Sequence, residues 1–309
     1  MKVGIDLGGS HIAVGLVNNN NEIVEKRTYY IKDNEEISVE EYIINSIEKG
    51  IEEILVSNKL SAYNIDFIGI ATPGNPKDEI IRNVVNLDIK EFALARKLHI
   101  ALGPEFENIK IRLKNDGKCA ALAEKTYGSL KEYKDCIFLC IGTGIGGAAF
   151  IDNKFLQPAR NSGFEFGHMV IKKDGEKCNC GNRGCFEAYC SKKKFKEKLL
   201  AILNIDEYLD APDLINEINK HKDNLNIKIL IDEYVDNLAL GISNIINIFE
   251  PEAISIGGSM SHYEELIFDK LRNKIYNGKY LFNKEEPPKI FVAQAGNDAG
   301  IIGATLMEE

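Results

Sequence analysis

One histidine and three cysteines fall within 18 residues near the middle of the chain, in the segment GFEFGHMVIKKDGEKCNCGNRGCFE of residues 163–187. The four are His168, Cys178, Cys180 and Cys185. An imidazole and three thiolates can fill the tetrahedral shell of a zinc ion, and structural zinc sites use all four positions. Gly181 and Gly184 loosen the backbone between the last two cysteines. The spacing therefore predicts a closed, structural zinc site.

The same segment carries two carboxylates, Glu165 and Glu187, one on each side of the cysteines. A closed metal site clamps the loop that holds it, so we interpret the metal as a brace for these acidic side chains rather than as the reactive centre. The alternative is that the cysteines are reduced and buried and that His168 is only hydrogen-bonded. A Cys-x-Cys pair followed by x4-Cys favours the metal site.

Two glycine loops offer backbone N–H groups to phosphate oxygens. The first is Asp6-Leu7-Gly8-Gly9-Ser10, where Asp6 can hold a hydrated Mg²⁺, and the second is Gly142-Thr143-Gly144. Neither matches the Walker A or dinucleotide pattern, because no helix obviously follows. Each by itself can be an ordinary tight hairpin, but one such loop in each half of the chain is a more specific arrangement.

Asn115 and Asp116 follow a predicted strand at 109–113 and precede an apolar helix. Asn and Asp are favoured helix N-caps, so a structural role is open. The carboxyl end of a strand is also where α/β folds place ligand sites, so Asp116 is equally a candidate general base.

Composition excludes several classes of protein. The chain has 309 residues, a net charge of −9 and 44% apolar residues. An acidic chain argues against a nucleic-acid or membrane-surface partner, and we expect no signal segment or membrane span. Seven cysteines, four of them in one loop (Cys190 is the fourth), favour a reducing compartment with a metal, and we expect the cytoplasm.

The pattern of strands and helices predicts an α/β chain with a duplicated unit. Residues 3–17 and 137–151 each read as a strand, a glycine turn and a second strand. Further strands are predicted at 22–31, 64–71, 253–256 and 289–293, and helices at 38–57, 117–127, 191–203, 229–249, 261–276 and 298–307. We expect an N-terminal domain of residues 1–117, joined by a C-terminal helix at 298–309, and a second domain of residues 118–297 that carries the zinc loop.

Five motifs together resemble the ROK family, which comprises bacterial sugar kinases and related repressors. They are DLGGS at 6–10, GIATPG at 69–74, ND at 115–116, GTGIGG at 142–147 and GHMxxxxxGxxCxCGxxGCxE at 167–187. The resemblance implies the two-domain actin-like (RNase H-like) fold with an interdomain cleft. It also implies transfer of the γ-phosphoryl group of Mg-ATP to a hydroxyl of a hexose or an N-acylhexosamine.

The resemblance also assigns roles to residues. It makes Asp116 the catalytic base and His168, Cys178, Cys180 and Cys185 the zinc ligands. The implied sugar contacts are Gly74, Asn115, Glu165, His168 and Glu187. The implied nucleotide contacts are Asp6, Gly8, Gly9 and Ser10 in the first loop, Gly142, Thr143 and Gly144 in the second, and Gly257 and Gly258 beside the adenosine. A homodimer is common among the relatives.

The chain departs from the family pattern at three places. Ser10-His11 replaces Thr-Lys, Asp116-Gly117-Lys118 replaces Asp-Ala-Asn, and Asp88-Ile89 stands where an aromatic residue often follows Asn86-Leu87. We expect glucose, phosphorylated at its 6-hydroxyl, as the substrate. The loss of bulk near residue 88 leaves N-acetylmannosamine as the alternative.

Two other classes of function remain. ROK repressors carry a helix-turn-helix before the DLGG segment, and with only Met1 and Lys2 ahead of the first predicted strand we expect this chain not to be a repressor. A non-catalytic, zinc-braced sugar-sensing protein is the second alternative, and release of ADP in a coupled assay separates it from a kinase.

Overall fold

The computed structural model describes residues 1–31, 37–74, 76–84, 87–158, 164–207, 209–278 and 280–308. They form two compact units. Unit 1 comprises residues 1–127 and 295–308, and unit 2 comprises residues 128–158 and 164–294.

The elements of unit 1 alternate between strands and helices. They are β1 (Lys2–Leu7), β2 (His11–Val17), β3 (Ile23–Tyr30), α1 (Val39–Ser57), β4 (Phe67–Thr72), β5 (Ile81–Val84), β6 (Ile89–Phe92), α2 (Leu94–Leu102), β7 (Lys110–Asn115) and α3 (Asp116–Tyr127). Those of unit 2 are β8 (Cys136–Ile141), β9 (Ile145–Ile151), β10 (Lys154–Phe155), α4 (Phe186–Cys190), α5 (Lys192–Leu203), α6 (Ala211–Lys220), α7 (Leu225–Phe249), β11 (Ala253–Gly257), α8 (Glu264–Tyr276) and β12 (Lys289–Val292). The last helix, α9 (Ala299–Thr305), returns to unit 1.

The two units contain sheets of the same design. The strand order is β3-β2-β1-β4-β7 in unit 1 and β10-β9-β8-β11-β12 in unit 2. In each sheet the first three strands in sequence pair antiparallel, and the strands that follow pair parallel. The prediction of a duplicated α/β unit is therefore confirmed, and two sheets of this order define the actin-like fold.

Local sequence signals explain several elements. Ser38 begins α1 as predicted, because its hydroxyl accepts a hydrogen bond from the Glu41 N–H at 3.2 Å. The apolar stripe of that helix is buried against the unit 1 sheet, with Ile43, Ile47 and Ile51 fully buried. Asn224 caps α7 in the same way, and Pro251 follows its end.

Some elements were not predicted. They include the short hairpin of β5 and β6 and the helices α2, α4 and α6. No side chain caps the start of α2, so its sequence carries no start signal. Asp210 does cap α6, with a proline at the second helical position, and this signal was present in the sequence.

The predicted domain division between residues 117 and 118 lies inside α3. The whole of that helix belongs to unit 1, where it packs against α9, and the chain enters unit 2 only after Tyr127. Gly303 makes this packing close, because a Cβ at that position would collide with the Cys119 carbonyl. The predicted C-terminal helix is shorter than expected, since α9 ends at Thr305 and a 3₁₀ turn follows.

Each unit has its own apolar core. The core of unit 1 is built on β1, β2, β4 and α1, and that of unit 2 on β8, β11, α7 and α8. No helix within the described ranges is long and apolar enough to cross a membrane.

Candidate active site

The carboxyl ends of three parallel strands meet at one edge of the unit 1 sheet. Asp6 of β1 lies opposite Ala71 of β4, and Thr72 lies opposite Asn115 of β7. The register brings Asp6, Gly74, Asn115 and Asp116 to the same edge, although they are far apart in sequence. This is the edge at which open α/β sheets bind ligands.

Asn115 connects the segment after β4 to the start of α3 through two hydrogen bonds. Its Nδ2 donates to the Gly74 carbonyl oxygen at 3.2 Å, and its Oδ1 accepts from the Lys118 N–H at 3.4 Å. Gly74 has a φ of 80°, which favours glycine, and so it can turn its carbonyl toward Asn115. The capping role considered from sequence therefore falls to Asn115.

Asp116 begins α3, and its Oδ1 accepts from the Gly117 N–H at 2.7 Å. The side chain keeps an accessible face, yet the surrounding protein removes much of its water, and this desolvation raises the pKa of the Asp116 carboxyl. A raised pKa in an accessible carboxylate suits a group that takes up a proton.

Asp6 is influenced by the charge of Asp116 and by that of a third carboxylate, Asp298. Desolvation, followed by the negative charges of Asp116 and Asp298, raises the pKa of Asp6 to about 6. Carboxylates arranged in this way repel one another, so the edge favours a cation.

Asp298 was absent from the predicted set. It precedes α9 and forms an ion pair with Lys26 at 2.7 Å. Two residues later, a Cβ at Gly300 would lie 2.5 Å from the Asp6 carboxyl carbon, so only glycine lets α9 approach Asp6. The sequence signal was an Asp two residues before a glycine at the start of the last helix.

The first glycine loop is the tip of the β1–β2 hairpin. The Gly8 N–H donates to the His11 carbonyl at 2.9 Å, and Gly9 and Ser10 are exposed. The His11 ring lies beside this tip, with its Nδ1 3.4 Å from the Ser10 hydroxyl. The departure from Thr-Lys therefore places an imidazole next to the loop.

The second glycine loop is the tip of the β8–β9 hairpin in unit 2. The Gly142 N–H donates to the Gly144 carbonyl at 2.9 Å, and Thr143 between them is exposed. Gly257 of β11 pairs with Cys140 of β8, so the end of β11 lies beside this loop. Unit 2 thus brings together the two glycine segments predicted to contact nucleotide.

Gly258 has a φ of 78°, and a Cβ there would lie 2.6 Å from the Ile141 carbonyl. A glycine at this position is therefore required both by the backbone conformation and by the close approach of β8.

The four predicted metal ligands come together in unit 2. One atom from each of His168, Cys178, Cys180 and Cys185 lies within 4.8 Å of the other three. The Sγ atoms of Cys180 and Cys185 are 3.7 Å apart, and His168 Nδ1 is 3.8 Å from the Sγ of Cys178. A tetrahedron with Zn–S bonds of ~2.3 Å has edges of roughly 3.8 Å, so the donor set fits zinc.

Burial and the neighbouring thiols hold the pKa of Cys185 at about 12. A bound divalent cation would reverse this, because metal coordination deprotonates a thiol. Cys190 is also buried, but it lies outside the group of four ligands.

His168 ends a 3₁₀ turn (Phe166–His168) that follows the exposed Glu165. A Cβ at Gly167 would collide with the Ile145 carbonyl, so this glycine lets the turn pack on β9. The Nδ1 atom of His168 faces the thiols, and the opposite ring nitrogen, Nε2, is left for another partner.

Glu187 lies between the thiols and the second glycine loop. Its Oε2 accepts from the Ile145 N–H at 2.9 Å, and its Oε1 is 3.8 Å from the Cys178 Sγ. Sequence reasoning placed Glu187 near the metal but did not predict its bond to the loop.

Two units that each carry a glycine hairpin on a sheet of the same strand order place the chain in the actin-like fold class. The family model described as "ROK family" matches residues 2–309, and this chain belongs to the ROK family. A glucokinase of Thermotoga maritima is 30% identical, and the match covers 98% of this chain and 95% of that enzyme.

Two further relatives are a repressor and a second glucokinase. The xylose repressor of Bacillus subtilis is 27% identical over 90% of this chain and 69% of the repressor. A ROK glucokinase from Streptomyces griseus, solved with glucose and AMPPNP, has the same fold with a TM-score of 0.74. It is 24% identical and covers 99% of this chain and 98% of its own.

Proposed function

We propose that this chain is an ATP-dependent hexose kinase that phosphorylates glucose at its 6-hydroxyl, with Asp116 as the general base. The observation that carries the proposal is the position of Asp116, an accessible carboxylate with a raised pKa at the carboxyl end of β7. Membership of the ROK family and the 30% identity to a glucokinase support it.

Asp116 accepts the proton of the sugar hydroxyl as the hydroxyl oxygen attacks the γ-phosphorus of ATP. The bond from that phosphorus to the β,γ-bridging oxygen breaks, and ADP leaves. The transfer depends mainly on positioning and on charge neutralisation. Asn115 supports the position of the base, because it ties the start of α3 to Gly74.

The phosphates bind to the glycine loops through backbone N–H groups. The first loop supplies Gly8, Gly9 and Ser10, the second supplies Gly142, Thr143 and Gly144, and Gly257 and Gly258 border the adenosine. Asp6 would hold the Mg²⁺ that accompanies ATP, because its carboxylate lies at the strand end beside the first loop. Bound Mg²⁺ supplies positive charge against the phosphate oxygens.

The sugar contacts implied by the family resemblance are Gly74, Asn115, Glu165, His168 and Glu187, whose polar groups would bind the sugar hydroxyls. We propose that the metal held by His168, Cys178, Cys180 and Cys185 is a structural zinc ion, because three thiolates and one imidazole suit zinc. Acceptors that the bound sugar shields from water and leaves unpaired penalise a sugar that lacks the matching hydroxyl.

A panel of sugars tests the choice of substrate. We expect glucose to lead in kcat/KM over mannose, allose, fructose, N-acetylglucosamine and N-acetylmannosamine by at least roughly tenfold, which is about 1.4 kcal/mol. A lead by N-acetylmannosamine would replace the substrate and keep the kinase. Asp88 would then be the residue of interest, since it is exposed whereas the neighbouring Ile89 is buried in the core.

A sugar-sensing role without catalysis is the alternative from another class, and the similarity to xylose repressors favours including it. A coupled assay of ADP release separates the two. Sugar binding by calorimetry without ADP release from any sugar of the panel would support the sensor and overturn the kinase.

The activity should fall in acid. Asp6 and Asp116 both act as carboxylates, and both have raised pKa values, so protons compete with their function at a higher pH than usual. We expect kcat/KM to be lost as the pH falls through about 6, which a pH–rate profile from pH 4.5 to 8.5 measures.

The variant Asp298→Asn tests the cause of this pH dependence. The negative charge of the Asp298 carboxylate contributes to the raised pKa of Asp6, so its removal should shift the loss of kcat/KM to lower pH. An acid limb that lies near pH 4 in the unmodified protein would contradict the prediction.

A further inference from the structure

The short helix α4 connects the metal ligands to the second glycine loop. It begins directly after the ligand Cys185, and its residue Glu187 accepts a hydrogen bond from the Ile145 N–H at 2.9 Å. Just beyond the helix, the Lys192 N–H donates to the Gly142 carbonyl at 2.9 Å. These two bonds hold both ends of the loop at residues 142–145.

The loop is shaped to receive the Glu187 carboxylate. A Cβ on Gly144 would lie 2.5 Å from Glu187 Oε2 and 3.2 Å from its carboxyl carbon. A Cβ at this position therefore requires the Glu187 carboxylate to shift away from the loop. Gly144 therefore serves this contact, in addition to leaving room for phosphate.

The other end of the connection is fixed at the metal group. Glu187 Oε1 lies 3.8 Å from the Cys178 Sγ, and the Phe186 N–H donates to the Met169 carbonyl, next to His168, at 2.7 Å. Three of the predicted ligands are therefore close to Glu187. Cys185 precedes it by two residues, Cys178 contacts its carboxylate, and His168 adjoins Met169, which binds the neighbouring Phe186 N–H. A cation at the thiols would offset the repulsion between ionised sulfur and the carboxylate.

We propose that Glu187 is a positioning residue that couples occupancy of the metal site to the shape of the second glycine loop. Binding of zinc then strengthens binding of the nucleotide, and binding of the nucleotide strengthens retention of zinc. The nucleotide part rests on the function proposed above, whereas the mechanical link between metal and loop does not.

Thermodynamic reciprocity supplies the test, because two coupled ligands must change each other's affinity by the same factor. Zinc retention is measured at equilibrium against a chromogenic chelator, with and without saturating ADP and without sugar. The affinity for ADP is measured by calorimetry on zinc-loaded protein. Neither measurement requires turnover.

The variant Gly144→Ala breaks the connection, because its Cβ displaces the Glu187 carboxylate. Gly146→Ala is the matched control in β9, since a Cβ there meets no atom within 4 Å. We expect Gly144→Ala to weaken ADP binding and zinc retention by roughly five- to tenfold each and to abolish the effect of ADP on zinc, at the lower end of the usual range of coupling of about 5–150-fold. Gly146→Ala should leave all three quantities unchanged.

Glu187→Ala tests the same connection from its other side and should repeat the loss of coupling. Equal zinc retention with and without ADP in the unmodified protein would overturn the coupling. Weaker ADP binding in Gly144→Ala with unchanged zinc retention would also overturn it, because the effect would then be confined to the loop. Failure of the unmodified, zinc-loaded protein to bind ADP would refute the nucleotide site instead, and zinc retention in the two glycine variants would still decide the mechanical link.

Discussion

Asp116→Asn should lower kcat by roughly 10²-fold or more, the scale of losing a positioned base, which corresponds to about 2.7 kcal/mol. The fold and the affinity for sugar should persist, because an asparagine Oδ1 can still accept the bond from the Gly117 N–H. Steady-state kinetics give kcat, calorimetry gives the sugar affinity, and circular dichroism reports the fold.

Asp269→Asn is the control, since that carboxylate lies on the exposed surface of α8 and pairs only with Arg272 among the contacts described. It should turn over normally. Near-normal turnover by a pure, folded Asp116→Asn protein would exclude Asp116 as the base, and a loss of sugar affinity equal to the loss of kcat would make it a binding residue.

Removal of a metal ligand should have the second large effect, on stability. The purified protein should contain about one zinc ion per chain. Cys180→Ala should release it and lower the melting temperature by roughly 10 °C or more, because the free energy of metal binding contributes directly to folding. Elemental analysis and thermal unfolding measure both quantities.

Cys190→Ala is the matched control, because Cys190 is buried in the same unit but lies outside the group of four ligands. It should keep its zinc and lose only packing. Zinc-free purified protein, or a Cys180→Ala variant with unchanged stability and sugar KM, would refute the structural role. Loss of zinc from Cys190→Ala would make Cys190 a ligand in its own right.

The sequence was most informative where chemistry depends on short spacing. The four predicted metal ligands lie within 18 residues, and the structure brings one atom from each of them together. The glycine loops were found because each glycine run stands directly between two apolar strand patterns, which is a local signal. Helix α1 was found because its cap and its apolar stripe are local signals.

Contacts between distant segments could not be predicted from local sequence patterns. Asp298 lies 292 positions from Asp6, and it affects the Asp6 carboxyl only because α9 returns to β1 through the close approach at Gly300. The sequence predicted that the last helix joins the first domain, but a pattern of residue types does not give the contact between Gly300 and Asp6. The assignment of α3 to unit 1 depends on the same kind of contact, since α3 packs against α9.

The roles of three residues show the same division. The sequence by itself determined that Asn115 and Asp116 stand between a strand and a helix, and that Glu187 follows the last metal ligand closely. Only the tertiary structure decided that Asn115 takes the capping bonds, that Asp116 keeps an accessible face, and that Glu187 lies against Gly144. The reason is physical: spacing fixes which groups are near one another along the chain, but hydrogen-bond partners and desolvation depend on strand register and packing, which the whole fold sets.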